Sequence, residues 1–266
     1  MASLRLVTWN INSVRLRAGL MARLVRQFRP DLVCLQEIKC RNEEFPKAPF
    51  EKLGYRHFAL NGIKAYHGVA IASRLPFADV ACLDLMGRED GRHVAVRLAR
   101  EKLWVHNFYV PAGGDIPDAK ANEKFAYKLD YLDAMTAHFH KKPQSRRQIL
   151  VGDLNTAPGE HDVWSHKQLL NVVCHTPMEV SRLAALQATQ DWQDIARHFV
   201  PPEQKLYSWW SYRARDWAAS DRGRRLDHIW TSPSLRPACK EFAIARAARN
   251  WPRPSDHVPV YARLAL

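Results

Sequence analysis

From Leu4 to Asn10 the chain alternates, with Leu4, Leu6 and Thr8 on one parity and Arg5, Val7 and Trp9 on the other. That two-residue period predicts a strand buried on at least one face. Ser13 is placed to cap a following helix, in which Leu16, Leu20, Leu24, Val25 and Phe28 recur at helical spacing. Pro30, which lacks an N–H, ends it. Asp31 to Glu37 reads as the next strand. A strand–helix–strand unit of this kind predicts two parallel neighbours whose far ends bring Asn10 and Glu37 to one sheet edge.

Past a loop containing Pro46 and Pro49, strand-like runs cover 55–59, 68–73, 93–99 and 103–109. Asn61-Gly62 and the turn-rich stretch 87–91 separate them, which suits antiparallel hairpins. After the loop 111–115, Phe125, Leu129, Leu132, Met135 and Phe139 form the core stripe of a long helix, with Lys124 and Lys128 assigned to its polar side. Gln148 to Val151 reads as a buried strand that releases Gly152-Asp153-Leu154-Asn155 at its end. Helical patterns cover 179–186 and 191–199, and an aromatic–basic stretch runs from Tyr207 to Arg225. The last strands are expected at 226–230 and 258–264, with Ser255-Asp256-His257 just before the final one. Without a linker, repeat or composition shift, residues 1–266 read as one domain of mixed sheets with helices outside.

Composition sharpens this picture. An apolar fraction of 47% and nine tryptophans supply a large core and argue against disorder. Forty basic against 27 acidic residues leave a net charge of +13, which predicts a polyanionic partner, nucleic acid being the simplest. Cys34, Cys40, Cys82, Cys174 and Cys239 are odd in number and widely spaced. They support neither a disulfide framework nor structural zinc, and they suit a reducing compartment. Met1-Ala2-Ser3 leads directly into a strand with no signal peptide, and no apolar run approaches a membrane span. A soluble cytoplasmic protein is expected.

The chemistry concentrates at strand ends. An aspartate and an asparagine two positions apart can serve one water, the carboxylate accepting its proton and the amide fixing its orientation. An Asx turn is the plain alternative for Asp153 and Asn155. Asn10, Glu37, Tyr109 and Asp227 also fall at predicted strand ends, and Asp256-His257 enters the last strand. Each has a structural reading as well: a turn for Asn10, a helix-approach carboxylate for Glu37, a half-buried core aromatic for Tyr109, an ion pair with Arg224 or Arg225 for Asp227, a core histidine for His257.

Taken in order, Trp9-Asn10-Ile11-Asn12, Leu35-Gln36-Glu37, Tyr66-His67-Gly68-Val69-Ala70, Asn107-Phe108-Tyr109-Val110-Pro111, Gly152-Asp153-Leu154-Asn155, Arg225-Leu226-Asp227 and Ser255-Asp256-His257 resemble the exonuclease III family. These are Mg²⁺-dependent exonucleases and abasic-site endonucleases of the endonuclease/exonuclease/phosphatase superfamily. The likeness runs from Leu4 to about Val260. It implies a four-layer α/β sandwich, two mixed β-sheets face to face with helices on the outside.

It also implies roles. Glu37 is the main Mg²⁺ ligand, with Asn10 and Asp256 beside the metal, and Mn²⁺ can substitute in such an oxygen-rich site. Asp153 activates the attacking water and Asn155 holds it. Asp227 orients His257, which hydrogen-bonds the scissile phosphate, and Tyr109 steadies developing charge or the leaving group. Asn12 stands where some relatives carry an aspartate proposed to bind a second ion. Together with Asp153 and Asn155 it marks a possible second metal position, weakened by its neutral amide.

The stretch Tyr207 to Arg225 interleaves aromatics with cations. It reads as a DNA-binding loop or, alternatively, as core aromatics beside a solvated arginine face. Arg213, Arg222 and Arg224 are its candidate phosphate contacts. By resemblance, Trp209 and Leu226 line a pocket for a base-free deoxyribose, and Arg224 replaces a tryptophan found in some abasic-site endonucleases. Lys39, Lys64, Tyr66, Arg92 and Lys124 are further DNA contacts. Ala112 and Asp115 depart from relatives that carry an amide and a basic residue in that loop, which weakens the expected grip on intact duplex. His161 to Lys167 is placed to shape the pocket.

The expectation is a monomeric DNA-repair phosphodiesterase. It acts on double-stranded DNA with abasic sites or damaged and recessed 3′ ends, and has no membrane partner. The alternatives are a phosphoesterase of the same fold with a non-DNA substrate, and a DNA-binding protein with a decayed active site.

Overall fold

The computed structural model describes residues 3–141 and 147–266; Met1 and Ala2 lie outside them. In chain order its strands are β1 (Ser3–Asn10), β2 (Leu32–Gln36), β3 (His57–Asn61), β4 (Val69–Ser73), β5 (Phe77–Ala81), β6 (His93–Leu98) and β7 (Leu103–Tyr109). These are followed by β8 (Gln148–Asp153), β9 (Gln193–Asp194), β10 (Trp209–Trp210), β11 (Gly223–Arg224), β12 (Asp227–Thr231), β13 (Cys239–Ile244) and β14 (Val260–Ala265). One six-stranded sheet has the order β13-β14-β1-β2-β4-β3, the other β5-β6-β7-β8-β12-β9. Each is mixed: β1 runs parallel to β2 and β7 parallel to β8, while their other neighbours are antiparallel.

The alternation in β1 is the origin of the layering. Leu4 and Leu6 face inward with Leu32, Cys34, Val69 and Ile71, against Val94, Val96, Val105, Ile149, Val151 and Ile229 of the opposite sheet. Val7, Trp9, Val33 and Leu35 take the other face and pack beneath Leu20, Met21 and Leu24. On the far side, Phe108, Leu150 and Trp230 are covered by the helices Glu123–His140 and Pro177–Ala188. Central strands are therefore buried on both faces, as strands covered by helices on one side and a second sheet on the other must be. The architecture is the expected four-layer α/β sandwich.

Several local expectations are corrected. Ser13 has φ 83° and makes no side-chain cap, and the first helix is broken into Val14–Arg17, a 3₁₀ turn Ala18–Leu20, and Met21–Phe28. Leu16 consequently points to solvent. The helix expected over 191–199 is only Ile195–Phe199, capped by Asp194, whose carboxylate accepts the Ala196 N–H. The strands β5 and β13 were not anticipated, because both are edge strands with several exposed side chains and lack a clear apolar alternation. Lys128 is not on a polar face but fully buried, ion-paired with Glu179 of the neighbouring helix and donating to the Asn155 carbonyl at 2.6 Å.

Candidate active site

Both sheets end at one edge. Asn10 closes β1 beside Gln36 of β2, while Tyr109 and Asp227 each stand opposite Asp153 in register. The Asn10 amide donates to Glu37 Oε1 at 2.9 Å and to Asp153 Oδ2 at 2.8 Å, which joins one sheet to the other. Tyr109 donates its hydroxyl to the same Glu37 oxygen at 2.9 Å. The backbone here is unusual: Asn12, Ser13, Glu37, Lys39 and Asn155 all have positive φ without being glycine. Such strained conformations persist where surrounding contacts over-determine them, and they cluster at functional sites. Gly152 is required by packing, because a Cβ there would lie 1.9 Å from the Phe108 carbonyl oxygen.

His257 is held between two carboxylates. Its Nδ1 is 2.8 Å from Asp227 Oδ2 and its Nε2 is 3.6 Å from Asp153 Oδ2. Asp227 Oδ2 also accepts the Ser208 hydroxyl at 2.6 Å, which fixes the acid that orients the ring. Burial disfavours charge on His257, but Asp227 and Asp153 outweigh it and raise its pKa, so the ring is an imidazolium. Burial, with help from Asp227, pushes the Asp153 carboxyl up against the opposing pull of His257. Asp153 therefore exchanges its proton nearer neutrality than an exposed aspartate does. Its other oxygen accepts the Asn155 N–H at 2.9 Å, while the Asn155 side chain donates to the Val110 carbonyl.

Glu37 and Asp256 supply the acidic end of the site. Burial works against ionisation of Glu37, but the Lys39 ammonium, 2.8 Å away, and the Asn10 and Lys39 hydrogen bonds hold its carboxyl below the usual range. Asp256 is likewise held down against burial by His257, Asn12 and the Trp209 indole. Tyr109 is the opposite case. Burial and the nearby Glu37 and Asp153 charges keep its phenol protonated, as its donation to Glu37 requires.

The carboxylates of Glu37 and Asp256, which line the cavity, are oxygen donors of the kind a hard divalent cation takes. Lys39 sets its ammonium against Glu37 Oε2 and, at 2.6 Å, against Asn12 Oδ1, so a divalent cation there shares these oxygens with it or displaces it. Among the described residues the one trio close enough for a shared metal is Asp153, Asp227 and His257. Within that trio the two ring nitrogens of His257 face the carboxylates, Nδ1 2.8 Å from Asp227 Oδ2 and Nε2 3.6 Å from Asp153 Oδ2. Asn10 and Asn12 are engaged within the site: Asn10 Oδ1 accepts the Asn12 N–H, and Asn12 Nδ2 donates to Asp256.

A cavity of about 680 Å³ opens over this edge. Glu37, Tyr109, Asn155, Asp256 and His257 line one part, and Trp209, Arg213, Arg222, Arg224 and Leu226 another, with Ala112 and Asp115 at its wall. Of the other cations and aromatics picked out from the sequence, Lys64, Tyr66 and Lys124 are exposed outside the cavity lining. Lys39 is turned into the site itself. Arg92 is buried rather than free at the surface; it pairs with Asp90, donates to the Tyr109 carbonyl and lies 5.1 Å from the Tyr109 ring centre. Asp227 pairs with neither neighbouring arginine.

Arg225 has a role that sequence reasoning missed. Its buried guanidinium grips Asp162 and Asp194 and so anchors the 159–163 loop beneath Asp227.

The chain matches the model of the "Endonuclease/Exonuclease/phosphatase family" over residues 7–257. It is 29% identical to exodeoxyribonuclease III of Haemophilus influenzae, covering 97% of this chain and 99% of that one. An AP endonuclease structure from Archaeoglobus fulgidus superposes with a TM-score of 0.90 at 30% identity, over 99% of this chain and 100% of the other. The same figures describe the likeness to a 3′ phosphatase from Neisseria bound to a product DNA hairpin.

Proposed function

The chain belongs to the endonuclease/exonuclease/phosphatase family, in its exonuclease III branch, and from that premise we propose that it is a Mg²⁺-dependent DNA-repair phosphodiesterase. It hydrolyses double-stranded DNA from 3′ ends, removes 3′ blocking groups and cleaves 5′ to abasic sites. It acts as a monomer, one catalytic domain across residues 1–266, in a reducing cytoplasm. The observation that carries this reading is the cross-sheet linkage of Glu37, Asn10, Asp153, His257 and Asp227, in which buried Asn10, Asp153 and Asp227 stand directly behind the cavity-lining Glu37 and His257.

In this reading Glu37 and Asp256, with the amides of Asn10 and Asn12 nearby, hold Mg²⁺, or Mn²⁺ in its place. When bound, the cation supplies charge neutralisation to the phosphoryl oxygens. Asp153 accepts the proton of the attacking water and Asn155 fixes that water in line. His257, kept protonated and oriented by Asp227, donates to a non-bridging phosphoryl oxygen, and Tyr109 donates a second hydrogen bond as negative charge develops. Trp209 and Leu226 wall the space beyond the phosphate, while Arg213, Arg222, Lys64, Tyr66 and Lys124 bind the strands on either side.

Asp153→Asn keeps the side chain's size and one of its two accepted hydrogen bonds, from Asn10 or from the Asn155 N–H, but removes the base. It is expected to lower Mg²⁺-dependent cleavage of 3′-recessed and abasic duplexes by at least about 10²- to 10⁴-fold, with DNA affinity retained. Cleavage at the parental rate by a purified, folded Asp153→Asn protein sinks the mechanism.

A further inference from the structure

Two adjacent arginines in the β11–β12 segment are used in opposite ways. Arg225 is neutralised by Asp162 and Asp194. Arg224 has no carboxylate within ion-pair reach among the described residues, yet it lines the cavity and is firmly positioned. Across the short β10–β11 ladder it is in register with Trp209, and its guanidinium lies 5.1 Å from that indole's ring centre. Nη1 donates to the Val173 carbonyl at 3.3 Å and to Cys174 Sγ at 3.1 Å, while Nε is buried without a hydrogen-bond partner. The other edge of the Trp209 indole donates to Asp256 at 3.0 Å. One aromatic plate therefore separates the acidic end of the cavity from an uncompensated, preorganised cation.

A stacked guanidinium whose rotamer is already fixed loses little entropy on meeting an anion, and with Nη1 engaged and Nε buried, Nη2 is the nitrogen left to donate to an oxyanion. Facing a neutral sugar it offers no comparable gain. The opposing charge on this wall is Asp115, which is exposed on a separate loop. Resting on the function proposed above, we propose that Arg224 is a specificity-determining residue. It reads an anionic group carried by the scissile phosphate at a DNA 3′ end, and tilts this enzyme toward charged 3′ blocks over neutral base-free sugars. The anion is either the extra oxygen of a terminal 3′-phosphate or the carboxylate of a short acid esterified to it. In both cases the water oxygen bonds to phosphorus as the P–O3′ bond breaks. The 3′ oxygen ends with a proton from that water, and the phosphate or phospho-acid departs with the negative charge.

The test compares kcat/KM, with Mg²⁺, on three duplexes: one with a 3′-phosphate, one with a 3′-phosphate esterified by glycolate, and one with an internal tetrahydrofuran abasic analogue. Arg224→Leu is expected to lower the ratio of anionic-end to abasic turnover by about 10- to 100-fold, the loss of a charged hydrogen bond. Arg224→Lys is expected to recover part of it. Arg222→Gln, which removes a cation 4.7 Å from the Trp164 ring centre, lowers all three together and leaves the ratio in place. A fall confined to the phosphate duplex identifies the terminal oxygen as the anion, and a fall confined to the glycolate duplex identifies the carboxylate. A parental enzyme that cleaves all three, with a ratio unmoved by Arg224→Leu, overturns the assignment of Arg224 and leaves the function standing. A parental enzyme that cleaves none overturns both.

Discussion

His257 and His228 show how neighbours decide the charge of one residue type. His257 lies between carboxylates and is cationic. His228 is fully buried, its Nε2 2.9 Å from the Thr156 carbonyl and its Nδ1 3.2 Å from Arg225 Nη1. A carbonyl only accepts and a guanidinium only donates, so Nε2 carries the proton, Nδ1 is bare and the ring is neutral. Burial, then the Arg225 charge, lower its pKa to about 4, with Asp194, the Thr156 hydrogen bond and Asp162 pulling the other way. The unfolded chain, with a histidine pKa of about 6.5, binds the proton first. The stabilisation from a neutral His228 is therefore complete above about pH 6.5 and is lost as pH falls toward 4, at up to roughly 1.4 kcal/mol per pH unit. Urea unfolding at about pH 7 and about pH 5 should show this loss, and His228→Gln should flatten the slope by about 1 kcal/mol per unit. An unchanged slope would mean that the proton is taken up elsewhere.

At the level of elements, the helices Glu123–His140 and Pro177–Ala188 meet through the buried pair Lys128–Glu179. Glu179 completes a capping box with Thr176 and also accepts the Cys174 N–H at 2.9 Å, while Lys128 holds the Asn155 carbonyl. The pair thus ties the turn after β8 that carries Asn155 to the pocket wall at Cys174. Lys128→Met leaves a buried carboxylate without its cation and should cost about 3–5 kcal/mol in chemical denaturation; a loss below about 1 kcal/mol would place the pair among the inconsequential ones. None of this was legible in the sequence, where Lys128 fell beside a clean apolar stripe and its partner lay 51 residues on. Periodicity reports how a segment meets its surroundings on average and cannot see one long-range ion pair. The same limit hid the edge strands β5 and β13. Asn10, Glu37, Tyr109 and Asp153 were legible because buried strands announce themselves by local alternation, and polar residues just past them must gather where the strands end. Arg92 and Arg225 were not, since a charged residue that turns inward is identified only by the acid that meets it.

At the scale of the molecule, the net charge of +13 has to be set against where the acids are. Glu37, Asp153, Asp227 and Asp256 crowd the catalytic edge, an arrangement that repels a phosphate backbone until cations offset it. Lys64 and Lys124 stand exposed outside the cavity, and Arg213 and Arg222 on its wall, as the groups able to do so. Binding is then driven largely by release of counterions from DNA, and its salt dependence counts the phosphates engaged. Duplex affinity of the Asp153→Asn protein, measured by anisotropy, should fall with log[NaCl] at a slope of about −0.9 for each phosphate contacted, or about a hundredfold or more between roughly 50 and 200 mM for four to six contacts. The double variant Lys64→Ala/Lys124→Ala should make that slope shallower by about two, and to the same degree on every sequence. On the proposed mechanism, hydrolysis by the parental protein should stop with chelator at any salt, because that mechanism puts the metal at the acidic end and the strand contacts on the rim. Binding that ignores salt would assign the basic excess to something other than DNA. A slope that stays put in the double variant would move the phosphate contacts away from Lys64 and Lys124 and onto the arginines of the cavity wall.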